Sequence, residues 1–349
     1  VFMLGIIIAI IIFGVIIIIH EGGHFFAAKK CGIKVNEFSI GIGPKIFGWG
    51  KGETKYSLRL LPFGGFCAME GENSDSSDNR SFGSKSVWKR IVVVSAGAIM
   101  NILLGFVLLI TISSAMYPAI PSLVVDEFHT SETGEITSSS CESGLKKGDK
   151  IISIDGSHMF TTTDFAYKLQ TTYSNTYTVE VKRDGKKITL ENVVFYDSVN
   201  KSKADFYVKP ISKNPLTVVS YSAKETCADA KLIWSSLIDL LRGKYGINDM
   251  SGPVGVVSEI GKAASTGTTI AQRLESVLSL TVFITINIGI FNLLPIPALD
   301  GGRLVFLIIE AIRKKPVPAK YEAAIHAAGM MLLLLLIIFI TFNDVHKLF

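Results

Sequence analysis

The chain alternates between long stretches without charge and stretches dense in it, and the apolar stretches have the lengths that a bilayer demands. Residues 1–19 carry no charged or strongly polar side chain, and the apolar pattern runs past His20 and His24 to Ala28, ahead of Lys29 and Lys30. At about 1.5 Å per helical residue this is enough to cross a hydrocarbon core of about 30 Å. A second apolar run, 91–116, follows Lys89 and Arg90 and stops at Tyr117 and Pro118. A third, within 276–312, is broken by Asn292, Pro295 and Pro297, and a fourth, 322–343, contains the solid run from Met330 to Ile340. The residues between the second and third runs are polar and mixed. The pattern predicts a polytopic α-helical membrane protein with four transmembrane helices and one water-soluble insertion. The first run lacks a basic leader segment and a small-residue cleavage site, so it reads as a span rather than a signal peptide. A chain that begins with Val1 rather than methionine is expected to lack its initiator region.

Composition narrows the class. Hydrophobic residues make up 48% of the 349 and charged ones 19%, against roughly 25% charged in an average soluble domain. Mean hydropathy is +0.42. A single water-soluble globule and a disordered chain are both excluded. The formal net charge of +5 is too small and too dispersed to imply nucleic acid, and its use here is in orientation. Lys and Arg are dense between Lys29 and Arg90, and recur at Arg313, Lys314, Lys315 and Lys320. Basic residues in short loops resist translocation, which places both loops in the cytosol and the insertion and both chain ends outside. The four cysteines, Cys31, Cys67, Cys141 and Cys227, lie far apart with no CxxC. Neither a disulfide framework nor a cysteine zinc site is indicated, and a single pairing stays open.

The chemistry is concentrated at the inner end of the first span, where His20-Glu21-Gly22-Gly23-His24 forms an HExxH pattern. Residues i and i+4 share a helix face, so the two imidazoles can grip one Zn²⁺ while Glu21 serves as base toward a water at the metal. Counting helical rise back from Lys29 puts His20 roughly 14 Å and His24 roughly 8 Å inside the membrane. Ionisable groups at that depth are expensive and functional by default. A purely structural polar cluster is the bland alternative. A catalytic zinc needs a third protein ligand. Asp300, in Pro297-Ala298-Leu299-Asp300-Gly301-Gly302-Arg303, can share the depth of the histidines, because spans one and three run in the same direction. The prolines and glycines around it open the helix, which lipid tolerates only where the backbone is buried in protein or lines a cavity. His326 and Glu322, at the start of span four, are the weaker candidates. Arg303 reads as a snorkelling residue or a partner for a carboxylate.

Two further stretches carry pattern. In 31–90, Phe38, Ile40 and Ile42 alternate with Ser39, Gly41 and Gly43, and Tyr56, Leu58 and Leu60 alternate beyond a Gly-rich turn, which predicts hairpins. Residues 71–86, rich in Ser, Asp, Asn and Glu, predict a mobile loop. Within the insertion, a helix is expected at 162–171 and strands at 175–183 and 187–195, joined by Asp184-Gly185. Residues 213–275 form a linker region. In it, 228–241 has the spacing of an amphipathic helix lying on the outer surface or on the inserted domain, and Ser251-Gly252-Pro253 forces a turn.

HExxH in the first span together with Asn292-x-x-Pro295-x-Pro297-x-Leu299-Asp300-Gly301 in the third resembles the site-2 protease family of intramembrane zinc metalloproteases. Within that family the layout resembles the regulator-of-sigma-E protease (RseP-like) group with one PDZ domain. The insertion adds to this, since Ser143-Gly144-Leu145 through Gly148-Asp149 to Asp155-Gly156 resembles bacterial PDZ domains. The likeness covers nearly the whole chain. It implies zinc ligands His20, His24 and Asp300, catalytic Glu21, and a substrate-holding role for Asn292 and Pro297. It also implies that the hairpin region re-enters the membrane and offers a strand edge to the substrate, with Gly41 and Gly43 as its recognisable piece. An ordinary cytosolic hairpin is the alternative. A bulky residue often stands in the family where Gly22 stands here, and that side chain is not a ligand.

The expected organisation is helix one at 1–30, a membrane-associated β-hairpin region at 31–90, helix two at 91–116 and an extracytoplasmic PDZ-like α+β domain at 122–212. The linker at 213–275, the broken helix at 276–312 and helix four at 322–343 follow. The expected function is regulated intramembrane proteolysis in a bacterial inner (plasma) membrane, with the active site toward the cytosol and Zn²⁺ as cofactor. Expected partners are the lipid bilayer, single-span transmembrane substrates such as an anti-sigma factor or signal-peptide remnants, and an extended peptide at the PDZ-like domain, with no nucleic acid. That domain could equally act as a size filter. A metal transporter using the same cluster is a competing class, though only one broken helix is present where transporters pair them. A catalytically silent PDZ scaffold is another, and Glu21 argues against it.

Overall fold

The computed structural model describes residues 2–72, 76–172, 174–198, 205–244, 246 and 250–348. In chain order the elements begin with α1 (Phe2–Lys30), β1 (Val35–Trp49), β2 (Lys55–Met69), α2 (Val87–Ala115), β3 (Val125–Phe128) and α3 (Ser139–Glu142). Next come β4 (Lys150–Ile154), β5 (Ser157–His158), α4 (Thr162–Thr171), β6 (Tyr177–Arg183), β7 (Lys186–Val193) and β8 (Phe206–Val208). The chain closes with α5 (Pro215–Leu241), α6 (Pro253–Ser265), α7 (Ile270–Leu293), α8 (Asp300–Arg313) and α9 (Ala319–Leu348). Two compact units result, Val1–Leu108 with Leu237–Phe349, and Leu109–Ser236. Among the described residues all four cysteines are free.

Among the described residues four helices are long and apolar enough to cross a membrane: Met3–Lys30, Val87–Ala115, Ile270–Leu293 and Lys320–Lys347. The third begins several residues before the apolar run suggests. Thr269 caps it, accepting from the Gln272 N–H at 3.2 Å while the Gln272 side chain reaches back to the Thr269 N–H. Its first turns hold Gln272, Arg273 and Glu275, which hydropathy alone does not count as helix. The break in the third apolar run is the loop 294–299, with α8 starting at Asp300. Lipid gives no hydrophobic drive for helices to associate, so close approach of small residues has to do it. A Cβ at Gly23 would lie 2.5 Å from the Ala96 carbonyl oxygen, and one at Gly289 would lie 2.9 Å from that of Ala98. These two glycines let α1 and α7 pack onto α2. Ile260 of α6 joins Ala9, Ile12 and Ile16 of α1 in a buried cluster. The Ser251-Gly252-Pro253 turn starts α6, and the Gly252 and Gly255 N–H groups donate to Asp344 Oδ2 of α9 at 2.9 and 2.8 Å. Its role is that of a helix cap supplied from another helix.

The predicted hairpins are one long antiparallel hairpin that curls on itself. Phe38 is opposite Cys67 on one side and Tyr56 on the other, and Ile40 is opposite Gly65 and Leu58. Beyond the bend, Ile46, Phe47, Trp49 and Leu60 are exposed, with Trp49 stacked between Phe47 and Tyr56. The polar segment 71–86 is irregular where it is described, and residues 73–75 lie outside the described residues. Phe82 nevertheless anchors it, buried against Val35 and Val93, with its N–H donating to Glu70 O at 2.7 Å. A single apolar residue in a polar run is easily passed over by a compositional reading.

The second unit holds an antiparallel sheet in the order β5-β4-β6-β7, and a separate β3-β8 pair. Ile151, Ile154, Val179, Val181 and Val193 alternate into its core. Asp184 and Gly185, with φ of 48° and 80°, form the expected hairpin turn. Asp149 is fully buried and paired with Arg183 at 2.7 Å, and it also accepts from the Lys146 N–H, which fixes the turn into β4. Asp164 accepts from the Thr161 N–H at 3.0 Å and so holds the start of α4.

Helix α5 is longer than expected, because Asn214 and Thr217 cap it reciprocally ahead of Pro215. Its inward face is mixed, with polar side chains buried beside Val218, Tyr221, Ala228 and Ile233. Ser222, Glu225 and Asp229 are buried while Leu216, Val219 and Trp234 are exposed. Thr163 donates to Glu225, and Lys231 pairs with Asp164 at 3.2 Å. Burial, reinforced by the Glu225 charge, pushes the Asp229 carboxyl up to about 7. A carboxyl raised above its unfolded value of about 3.9 stabilises the fold at low pH, and that contribution is lost as pH rises through about 7. Asp229→Asn should therefore melt a few degrees above the parent protein at pH 8, with the gap closing at pH 5. Thermal melting at the two pH values checks this, and a gap independent of pH would contradict it.

Candidate metal centre

One turn of α1 puts His20 and His24 on the same face. Their rings meet edge to face with centroids 4.9 Å apart, and their Nε2 atoms are 3.3 Å apart. Asp300, the first residue of α8, reaches them from the loop 294–299. Its Oδ2 lies 3.2 Å from His20 Nε2 and 3.3 Å from His24 Nε2. Ligands at about 2.0–2.1 Å from a tetrahedral zinc are about 3.3–3.4 Å apart, so the triangle has the size of one face of that tetrahedron. Asp300 Oδ2 is buried and no hydrogen bond of good geometry reaches it, as befits an atom whose partner is a cation. Among the described residues this is the only convergent group of three or more His, Cys, Asp or Glu side chains. The donor set, two imidazoles and one carboxylate, suits Zn²⁺.

The helix facing α1 prepares the site. His24 Nδ1 lies 2.8 Å from the Val93 carbonyl oxygen, which fixes the ring proton on Nδ1 and leaves the Nε2 lone pair toward the centre. His20 Nδ1 is 3.3 Å from the Asn101 amide. Gly97, between those two positions on α2, gives the rings room. Asn101 was invisible to motif matching, although a lone amide deep in an apolar span is itself a signal.

Glu21 shares a cavity of about 370 Å³ with the three side chains. One wall is the strand segment 65–69, whose other side pairs with the first part of β1. Glu72 and Arg303 also line the cavity and form an ion pair, and Glu72 accepts from the Met69 N–H at 3.3 Å. The remaining expected site residues lie outside this wall. Gly41 and Gly43 sit at the bend of β1 with φ of 84° and 87°. Asn292 is half-buried in the last turn of α7. Pro297 packs against Gly329 of α9, where a Cβ would come within 2.4 Å of it. His326 Nδ1 accepts from the Ala298 N–H at 2.9 Å, so this histidine ties the loop to α9 and stands outside the triangle. The part of the hairpin nearest the centre is thus 65–69 rather than Gly41 and Gly43.

Comparison with known proteins agrees with this geometry. Peptidase family M50 matches residues 8–336. Regulator of sigma-W protease RasP of Bacillus subtilis is 32% identical, with 97% of this chain and 98% of the relative covered. The alignment runs over 427 residues, so the Bacillus protein carries residues with no counterpart here. A Clostridium perfringens protein assigned by name to the zinc metalloproteases is 34% identical over 342 residues, covering 97% of this chain and 98% of the relative. Zinc metalloprotease RasP of Bacillus licheniformis is 32% identical, again covering 97% and 98%. Zn²⁺ is the expected cofactor of such a chain. The protein is a membrane-embedded zinc metalloprotease of the site-2 type and belongs to peptidase family M50.

Proposed function

We propose that the chain cuts peptide bonds within the transmembrane segments of single-span membrane proteins, with His20, His24 and Asp300 as zinc ligands and Glu21 as general base. The observation that carries this reading is the triangle of donor atoms at 3.2–3.3 Å, opening onto a cavity walled by Glu21 and an edge of the hairpin. Zn²⁺ bound there would polarise a carbonyl and lower the pKa of its water to about 7. Glu21 takes the proton from the attacking water and later passes it to the leaving amine. A substrate helix hides its carbonyls in internal hydrogen bonds, so it must unwind, and the freed groups need partners inside the membrane. Residues 65–69 supply such partners by strand addition. Gly41 and Gly43 contribute through the bend of β1. Asn292 and Pro297 hold the unwound chain near the opening.

The hairpin and the loop before α9 face the cytosol of a bacterial plasma membrane, and the second unit is a PDZ-like domain on the outer side. That unit has a cavity of about 570 Å³ with apolar walls that include Leu123, Ile151 and Met159, and with Lys150, Lys182 and Lys224 around it. This suits an extended apolar peptide ending in a carboxylate. Substrates of this group would include an anti-sigma factor or signal-peptide remnants.

Metal analysis of the purified protein tests the centre. About one Zn²⁺ per chain is expected, with sharp loss in His20→Ala, His24→Ala and Asp300→Ala. Full zinc and activity in Asp300→Ala would remove Asp300 from the ligand set. Cleavage of a single-span substrate in detergent by the wild type, abolished by a chelator, tests the reaction.

A further inference from the structure

We infer that Asn101 is a positioning residue for the metal centre, its side-chain Oδ1 accepting the Nδ1–H of His20 and so turning that ring's Nε2 lone pair toward the zinc. The inference rests on the reading of His20 as a ligand. Asn101 is fully buried in the middle of α2, and its amide nitrogen Nδ2 lies 3.3 Å from His20 Nδ1. Its Oδ1 has no hydrogen-bond partner, a costly arrangement for an amide sealed in an apolar helix. The two ends of an amide exchange by a half-turn about the last side-chain bond, and the surrounding network decides between them. With Nε2 committed to a metal, the His20 proton must sit on Nδ1, and only Oδ1 can receive it. One half-turn satisfies the orphaned oxygen and fixes the tautomer together.

The rest of α2 supports this arrangement. Val93, Gly97 and Asn101 recur every fourth residue and therefore form one stripe facing α1. Val93 O receives the Nδ1–H of His24 at 2.8 Å, so each end of the stripe holds one of the two rings. The helix is itself held at this level, since Thr285 Oγ1 of α7 donates to the Asn101 carbonyl oxygen at 3.1 Å. That bond fixes the backbone and leaves the amide side chain free for His20.

Zinc affinity measured by chelator competition on the purified full chain tests this, alongside the folded state judged by elution profile and helicity. Asn101→Ala and Asn101→Leu cannot accept, and each should bind zinc about 10–100-fold more weakly, the usual range for partners of metal-binding histidines. Asn101→Asp keeps an acceptor and should stay within a few-fold of wild type. If Asn101→Leu does not fold, the comparison of Ala with Asp carries the test. Wild-type affinity in Asn101→Ala, or an Asp variant as weak as Ala, would overturn the role. His20→Ala is the separate control. If it binds zinc like wild type, the ligand assignment itself is wrong and the inference falls with it.

Discussion

Glu21→Gln should retain its zinc and cleave at least about 10²-fold more slowly, the low end of what a positioned general base contributes. The substitution keeps size and shape and removes only the carboxylate. Glu21 lines the same cavity as the three ligands but lies outside the convergent group, so metal content and activity should separate. Substrate should also accumulate on the inactive protein, because the wall at 65–69 is unchanged. Metal analysis and a cleavage time course on one preparation decide the matter. Loss of zinc along with activity would make Glu21 part of the metal's support. Undiminished cleavage would require a different base.

Gly97→Ala should be almost as damaging, through zinc. A Cβ at position 97 would stand 2.4 Å from His24 Nε2 and 2.9 Å from His20 Cε1, where a carbon needs more than 3 Å. The His24 ring cannot swing away freely, since its Nδ1 is held by Val93 O. Either the nitrogen leaves the centre or α2 retreats from α1. Zinc affinity should fall by about 100-fold, the upper end for disturbed support of a ligand. Helix propensity acts in the opposite direction, because alanine favours a helix by about 1 kcal/mol over glycine. A variant with normal helicity and weak zinc is therefore expected. Wild-type zinc affinity would show that the two helices have slack at this level.

What the sequence revealed depended on whether the information was local. His20, Glu21 and His24 are fixed by helical periodicity within one turn, and the spans by unbroken runs of apolar residues. Asp300 could be reached because a membrane offers few ionisable side chains to choose from. The wall at 65–69 could not, since both limbs of the hairpin alternate and the curl that brings one limb to the metal is a tertiary matter. Asn101 depends on the facing of two helices, which no spacing encodes. In α5 the amphipathic pattern identified a helix correctly and said nothing of which face lies inward. Glu225 lies inward because Thr163 donates to it, beside the apolar Tyr221 and Ala228, and a hydropathy scale does not anticipate a carboxyl among them. The competing transporter reading was likewise beyond spacing alone, and the family match resolves it.

The cavity at the centre also sets the water supply of the reaction. A water needs a polar site with room for about one probe sphere, and a cavity of about 370 Å³ has room for several. Hydrolysis consumes one of them per bond cut, from a cavity walled by α1, α8 and the strand segment 65–69. A substrate strand laid along 65–69 occupies the same space, and each bulky side chain it brings displaces several. Binding and hydration thus draw on one volume, and a segment that fits too well leaves the bond positioned but dry. Small residues flanking the scissile bond would then be favoured for the room they leave to the reactant that is never part of the polypeptide.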